Sequence, residues 1–262
     1  MAYVFVSLAA LLTALLTLFS GFGLGTLLLP VFAIFFPLEI AVAATAVVHL
    51  ANNVFKLGLL GKYAHRGTVV RFGVPAALAA FVGAALLARL AHLAPLGTWS
   101  WGSSIHEITP IGLVLGGLIA VFAAIELLPA FERLAFGSRW LAVGGLVSGF
   151  FGGLSGHQGA LRAAFLSRSG LGRDGFLGTS VTCAVIVDCA RLLVYGVTFY
   201  RGHLEAIAAG DGRGLVVAAT LAAFLGSYFG ARLARKVTLR ALQRFVGAGL
   251  VLLALAIGAG LL

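Results

Sequence analysis

The stretch "FGGLSGHQGALRAAFLSR", Phe151 to Arg168, sets four glycines, a histidine, a glutamine and two arginines inside an otherwise apolar part of the chain. Each glycine in a helix interior costs about 1 kcal/mol relative to alanine. Four of them interleaved with polar residues therefore mark a place where a helix stops. The rest of the chain decides what kind of stop it is. Of 262 residues, 61% are hydrophobic and 10% are charged, and the mean hydropathy is +1.10. Such a composition belongs to an integral membrane protein. In hydrocarbon a broken helix leaves backbone N–H and C=O groups that only protein or a water-filled cavity can satisfy. The fold thus turns on whether "GGLSGHQG" (152–159) is a break within the membrane.

Apolar runs span residues 3–37, 40–60, 69–90, 111–128, 141–151, 176–199, 214–233 and 245–262, which leaves no room for a soluble domain. The N-terminus lacks a basic head and a small-residue cleavage pattern, so the first run reads as mature structure and not as a signal peptide. Cys183 and Cys189 fall in one apolar run and read as small packing residues. The net charge of +10 comes from basic residues at the ends of runs, without interleaved aromatics. That pattern excludes nucleic acid as a partner and fits the excess of Lys and Arg in cytoplasmic loops. The bilayer is the evident partner, and the 36 glycines suit close packing of helices within it.

A shift of 135 residues lays Thr45 on Ser180, Asn53 on Asp188, Lys56 on Arg191, Gly61 on Gly196 and Arg66-Gly67 on Arg201-Gly202. A shift of 143 lays "FVGAALLARL" (81–90) on "FLGSYFGARL" (224–233). The matches keep their order, so the chain reads as two repeats, 1–134 and 135–262. Lys62, Arg66 and Arg71 assign the 62–71 loop to the cytoplasm and the sparse 89–110 loop to the outside; Arg133 and Arg139 return the chain inside. In the second half the dense cluster, Arg232, Arg235, Lys236, Arg240 and Arg244, corresponds to the sparse loop of the first. The halves are therefore expected to be inverted.

Inversion requires an odd number of crossings per half, yet each half has four apolar segments. The conflict resolves if the opening segment of each half dips in and returns, with glycines at the bend: Gly21, Gly23 and Gly25 in "GFGLGTLLLP" (21–30), and Gly153, Gly156 and Gly159 in the second copy. The expected fold is an all-α polytopic membrane protein of two pseudo-symmetric, inverted repeats. Each has a glycine-broken re-entrant or hairpin opening segment followed by three transmembrane helices, with both termini periplasmic. The rival arrangement is eight continuous helices in parallel repeats, with the glycines serving packing alone. Inverted repeats with broken helices at the midplane characterise many secondary transporters.

Polar residues inside the runs mark a candidate path. Thr45, His49, Asn53 and Lys56 fall four, four and three apart and share one helix face, with Asn52 beside them. Ser180, Asp188, Arg191 and Tyr195 form the counterpart. Ionisable groups in hydrocarbon cost about 2.5–3.5 kcal/mol each and so tend to face a cavity. Asp188 and Arg191, three apart, can pair; Lys56 either adds net positive charge or snorkels to the surface. His157 is read equally as a substrate contact, which would strengthen anion binding as pH falls, or as an imidazole capping a carbonyl freed by the break. Gln158 joins it as an amide donor. Cations, hydroxyls, amides and free N–H groups together suit a small oxyanion. No histidine or cysteine pair has metal-ligand spacing, so neither a metal nor another cofactor is expected. Glu126 reads as a helix-end carboxylate more readily than as a proton site.

At these residues the chain resembles the TauE/SafE sulfite exporter family, also called the toluene sulfonate uptake permease family. The likeness is carried by "SGFGLGTLLLP", its second copy "SGFFGGLSGHQGAL", the segments "AVAATAVVHLANNVFK" and "GTSVTCAVIVDCAR", and the two-copy layout along nearly the whole chain. It implies a multi-pass inner-membrane transporter of sulfite, sulfoacetate and related anions, commonly acting outward. The second copy departs from the pattern: Ala164-Phe165 stands where the first ends in Pro30, and His157-Gln158 interrupts its glycine run. The reading is a carrier with substrate contacts from Thr45, His49, Asn52, Asn53, Lys56, His157, Gln158, Ser180, Asp188 and Arg191, acting by alternating access. An anion channel, an uptake permease and, less favoured, an intramembrane enzyme using His157 or Asp188 are the rivals. A proton or sodium ion as coupling partner and a homo-oligomer are both compatible with the sequence.

Overall fold

The computed structural model describes residues 1–20, 24–127, 135–208, 212–233 and 240–261. The first half contains α1 (Ala2–Ser20), α2 (Leu24–Ala33), α3 (Leu38–Leu60), α4 (Arg66–Ala91), strands β1 (Gly97–Trp101) and β2 (Ser104–Ile108), and α5 (Pro110–Leu127). The second contains α6 (Leu141–Ser155), α7 (Gly159–Leu166), α8 (Arg173–Ala208), α9 (Gly212–Leu233) and α10 (Arg240–Gly258). Among the described residues, four helices are long and apolar enough to cross a membrane: Leu38–Tyr63 with its terminal 3₁₀ turn, Arg66–Ala91, Arg173–Thr198 and Gly212–Gly230. Val47, Val54, Val74, Leu78, Leu193, Val217 and Leu221 are exposed on these helices. In water such a surface would aggregate, whereas in lipid it is the solvated face.

Both opening segments fold back on themselves. In the second half, the Phe136 N–H donates to Ala164 O at 3.0 Å, Gly137 bridges Arg168, and the Phe136 and Phe165 rings stack with centroids 4.4 Å apart. The chain therefore enters α6 and leaves α7 at the same end. In the first half, Phe5 near the start of α1 meets Phe35, just past the end of α2, at 6.4 Å. The outer ends of that pair also lie together. Gly21 and Gly23, the expected bend of this hairpin, lie outside the described residues, and Gly25 falls in the first turn of α2.

Close packing then ties each opening segment to the other half: α6 lies on α4, and α1 on α9. A Cβ on Gly145, Gly149 or Gly153 would collide with the carbonyl of Phe72, Ala76 or Ala80 respectively. The three glycines follow every fourth residue, as do their three partners, so the two backbones run parallel and in contact. In the other pair the glycine sits on the opposite helix: a Cβ on Gly226 of α9 would strike Leu11 O of α1. α4 also packs on α8, and two further pairs join α3 to α8 and α5 to α10. Both run antiparallel, since Gly112 approaches Ile257 while Gly116 approaches Ala254, and His49 meets Asp188 while His65 meets Thr179.

Two features depart from the sequence reading. The 89–110 connection is not a plain loop: β1 and β2 pair antiparallel in the register Trp99↔His106, so the fold is helical with one small extramembrane hairpin. A two-residue turn closes it, and Gly102 takes φ +61° there, the conformation that a glycine-first hairpin turn demands. Trp99 Nε1 donates to Ala259 O at 2.8 Å, which seats the hairpin on the end of α10. The second departure concerns Gly153. It lies inside α6, packed on α4, and the break is confined to Gly156, His157 and Gln158.

Candidate functional site

α6 stops at Ser155 because Gly156 turns left-handed, at φ 84° and ψ −2°, a conformation open to glycine and costly for other residues. Three residues later, at Gly159, α7 begins. Between the two helices the chain presents His157 and Gln158, both buried, to the facing stripes of α3 and α8.

Asp188 of α8 is the hub. Its Oδ2 accepts from His49 Nδ1 at 2.7 Å and from Asn53 Nδ2 at 2.9 Å, both on α3. Its Oδ1 accepts from Arg191 Nε at 3.1 Å and Nη2 at 2.9 Å, and from Gln158 Nε2 at 3.2 Å. One carboxylate thus joins α3, α8 and the broken segment. Asp188 and Arg191 are both fully buried, and a buried charge is tolerated when it is paired and hydrogen-bonded in this way. Ser148 Oγ donates to Gln158 O at 3.2 Å and Tyr195 Oη donates to Gly153 O, so the carbonyls around the break are met by side chains.

Arg162 extends the network outward. Its Nη1 donates to Gln158 Oε1 at 2.7 Å and its Nε to Ser180 Oγ at 2.8 Å, which ties α7 to α8. Lys56 is 8% exposed, so it does not snorkel. In the amide orientation that satisfies every neighbour, Asn52 accepts from Lys56 Nζ at 3.2 Å and donates to Ser227 Oγ at 2.7 Å and Ala223 O at 3.2 Å on α9. The His157 Nδ1 pairs with Ser155 Oγ at 2.9 Å and its ring stacks on Phe122 of α5 at 5.1 Å.

Of the ten side chains singled out from sequence, Asp188 gathers His49, Asn53, Gln158 and Arg191 directly. Ser180 joins through Arg162, and Asn52 and Lys56 pair alongside. Thr45 and His157 are buried but make no hydrogen bond to Asp188. Arg162, Ser227, Ser148 and Ser155 are polar members that sequence reasoning left out of the site. Arg162 carried a signal, four residues after Gln158 on the same helical turn; Ser227 sits in a glycine-rich apolar run and carried none. Three buried polar atoms among the described residues have no partner: Arg191 Nη1, His157 Nε2 and Thr45 Oγ1. Two of these belong to nitrogen groups at the break, and Nη1 of Arg191 lies against Gly156, 2.8 Å from where a Cβ would stand. Among the described residues, no three His, Cys, Asp or Glu side chains come together as a metal site.

A cationic cluster with unpartnered buried nitrogens, held at a break between two helices, is chemistry that suits an anion. The family description sulfite exporter TauE/SafE matches residues 6–257. The chain belongs to the sulfite exporter TauE/SafE family. Nearly the whole chain is matched, so both opening hairpins and both polar stripes of this TauE/SafE protein lie within the shared region. The family is one of multi-pass membrane exporters of sulfite and related anions, and it is a transporter family, not an enzyme family. No curated protein and no solved structure matches this TauE/SafE chain.

Proposed function

We propose that this protein is a secondary transporter of small sulfur-containing anions such as sulfite, sulfoacetate or related organosulfonates, moving them outward across the inner membrane by alternating access. The anion binds at the α6–α7 break, between the stripes of α3 and α8. One observation carries the reading: Arg191 directly, and Arg162 through Gln158, converge on the single Asp188 carboxylate, and Arg191 keeps a buried N–H group unpartnered beside Gly156. A site with surplus positive charge and an unsatisfied guanidinium donor favours an oxyanion.

Two inverted repeats, 1–134 and 135–262, suit the same reading. Corresponding helices α3 and α8, and likewise α5 and α10, run antiparallel, and each opening hairpin returns to its starting side, which leaves three crossings per half. Both termini are then periplasmic. A reporter fused after Leu262 tests this: activity on the periplasmic side is expected, and cytoplasmic activity would remove the inverted arrangement.

The functional test is counterflow in proteoliposomes. Vesicles preloaded with unlabelled sulfoacetate should transiently accumulate labelled sulfoacetate above equilibrium, and Arg191→Met should abolish the overshoot. Flux that neither saturates nor overshoots is the signature of a channel with several weak sites.

A further inference from the structure

We infer that anion binding at the α6–α7 break is coupled to uptake of one proton by the His49–Asp188 pair, which makes that pair the coupling-ion site of the transporter. The inference rests on the anion-carrier reading above and deepens it.

The argument starts from who already uses the donors. Asp188 accepts from His49 and Asn53 on one oxygen and from Gln158 and Arg191 on the other. These are the groups that an incoming oxyanion needs. The Asp188 carboxylate therefore stands where a substrate competes, as a resident anion belonging to the protein. Only Nη1 of Arg191 stays uncommitted on that guanidinium. A second negative charge brought to Nη1 would lie within a few ångströms of Asp188, in surroundings where like charges repel far more strongly than in water.

Adding one proton to His49 and Asp188, taken as a unit, changes the pair from one negative charge to neutral. The repulsion disappears, and the carboxylate's hold on Gln158, Asn53 and Arg191 weakens, which releases donors to the substrate. His49 is the group equipped for this step: it is the histidine in direct contact with the carboxylate, at 2.7 Å. The other titratable or charged groups around the pair do not take its place. From α3 there is Lys56, and from the broken segment Arg162; both are cations in the resting site. From α8 there are Arg191, already cationic, buried Cys183 and exposed Cys189, and Tyr195, whose hydroxyl donates to Gly153 O. His157 bonds Ser155, not Asp188. Among the described residues, α4 and α9, which pack on α8 and α3, bring no ion-pair partner to Asp188.

Linkage fixes the sign. If the bound anion favours the protonated pair, the proton favours the bound anion by the same factor. Affinity for a permanently charged anion must therefore rise as pH falls.

The probe is sulfoacetate, which stays ionised between about pH 6 and 8, titrated calorimetrically into the purified full-length protein in two buffers of different ionisation enthalpy. The wild type is expected to take up roughly 0.5–1 proton per anion, with affinity falling up to about tenfold per pH unit as pH rises. His49→Gln and Asp188→Asn should bind without proton uptake. Binding by the wild type with no proton exchange overturns the coupling and leaves the carrier reading intact. Binding of neither sulfoacetate nor sulfite across the range overturns the carrier reading and the coupling with it. Uptake that persists in His49→Gln and Asp188→Asn overturns the assignment to this pair. Should Asp188→Asn fail to fold, the wild-type stoichiometry and His49→Gln decide the matter.

Discussion

The hairpins α1–α2 and α6–α7 share an outline, two helices whose outer ends meet, yet they divide the work differently. The first is apolar from Leu8 to Pro37, apart from scattered Thr and Ser. The second carries Ser148, Ser155, His157, Gln158 and Arg162, all of which bond across the break or out to α8. Backbone contact is divided too: α6 brings three glycines to α4, whereas α1 receives Gly226 from α9. Two hairpins can thus share an outline while one of them holds the donors. Shape depends on where small residues permit close approach, and chemistry on a handful of polar positions that leave packing alone.

The sharpest way to break this comparison is to fill the glycine contacts. Gly149→Val should cost about 3 kcal/mol or more, because a branched side chain at a backbone-to-backbone contact cannot be absorbed by a rotamer change. Size-exclusion chromatography of the solubilised protein should show aggregation. Gly226→Val should do the same to the α1–α9 pair. Gly117→Ala, where nothing lies within 4 Å, should be neutral or stabilise by up to about 1 kcal/mol. If Gly149→Val is folded and monodisperse, close approach does not hold the second hairpin in place.

Next in size is the hub. Asp188→Ala leaves buried Arg191 without its counter-charge and should cost about 3–5 kcal/mol, read as a lower thermal midpoint in detergent. Asn53→Ala removes one of several donors to the same carboxylate and should cost about 1.5–3 kcal/mol. Equal losses would mean that α3 and α8 contribute alike, against the reading of α8 as the anchor.

A smaller effect separates the two stripes as substrate contacts. Lys56→Met should weaken sulfoacetate binding by roughly tenfold, about 1.4 kcal/mol. The loss should exceed that from the double variant Arg191→Met/Asp188→Asn, which removes two charges that cancel, whereas Lys56→Met removes a positive charge alone. Wild-type affinity in Lys56→Met would make that stripe structural. Smallest of all, Tyr195→Phe removes the hydroxyl that meets Gly153 O and should cost about 1 kcal/mol, with transport retained.

Periodicity made much of this legible before any coordinates. The four-four-three spacing of Thr45, His49, Asn53 and Lys56 is a property of one helix, and so is the three-residue step from Asp188 to Arg191. The left-handed stop at Gly156 is local chemistry as well, and short-range rules reach all of these. What crosses between helices was not legible. Nothing in the sequence says that Arg162 bonds Ser180, that Asn52 meets Ser227, or that His157 stacks on Phe122, because such pairs depend on how distant segments come together. Snorkelling by Lys56 was a fair reading of a lysine near a helix end; α9 packing on α3 is what buries it. The β1–β2 hairpin was missed because its strands are short and Trp99 gains its partner only from Ala259, at the far end of the chain.

The interlocking of the halves bears on how the protein is made. α1 and α4, among the first segments to leave the ribosome, find their principal partners in α9 and α6, and α5 waits for α10. Early helices must therefore sit in lipid with their contact faces uncovered until the later ones are inserted, and the hairpin at 97–108 can dock only after Ala259 has been synthesised. The two halves, expressed as separate polypeptides, should accordingly be short-lived alone and rescue each other when co-expressed, and the cut between them belongs in the connection after α5.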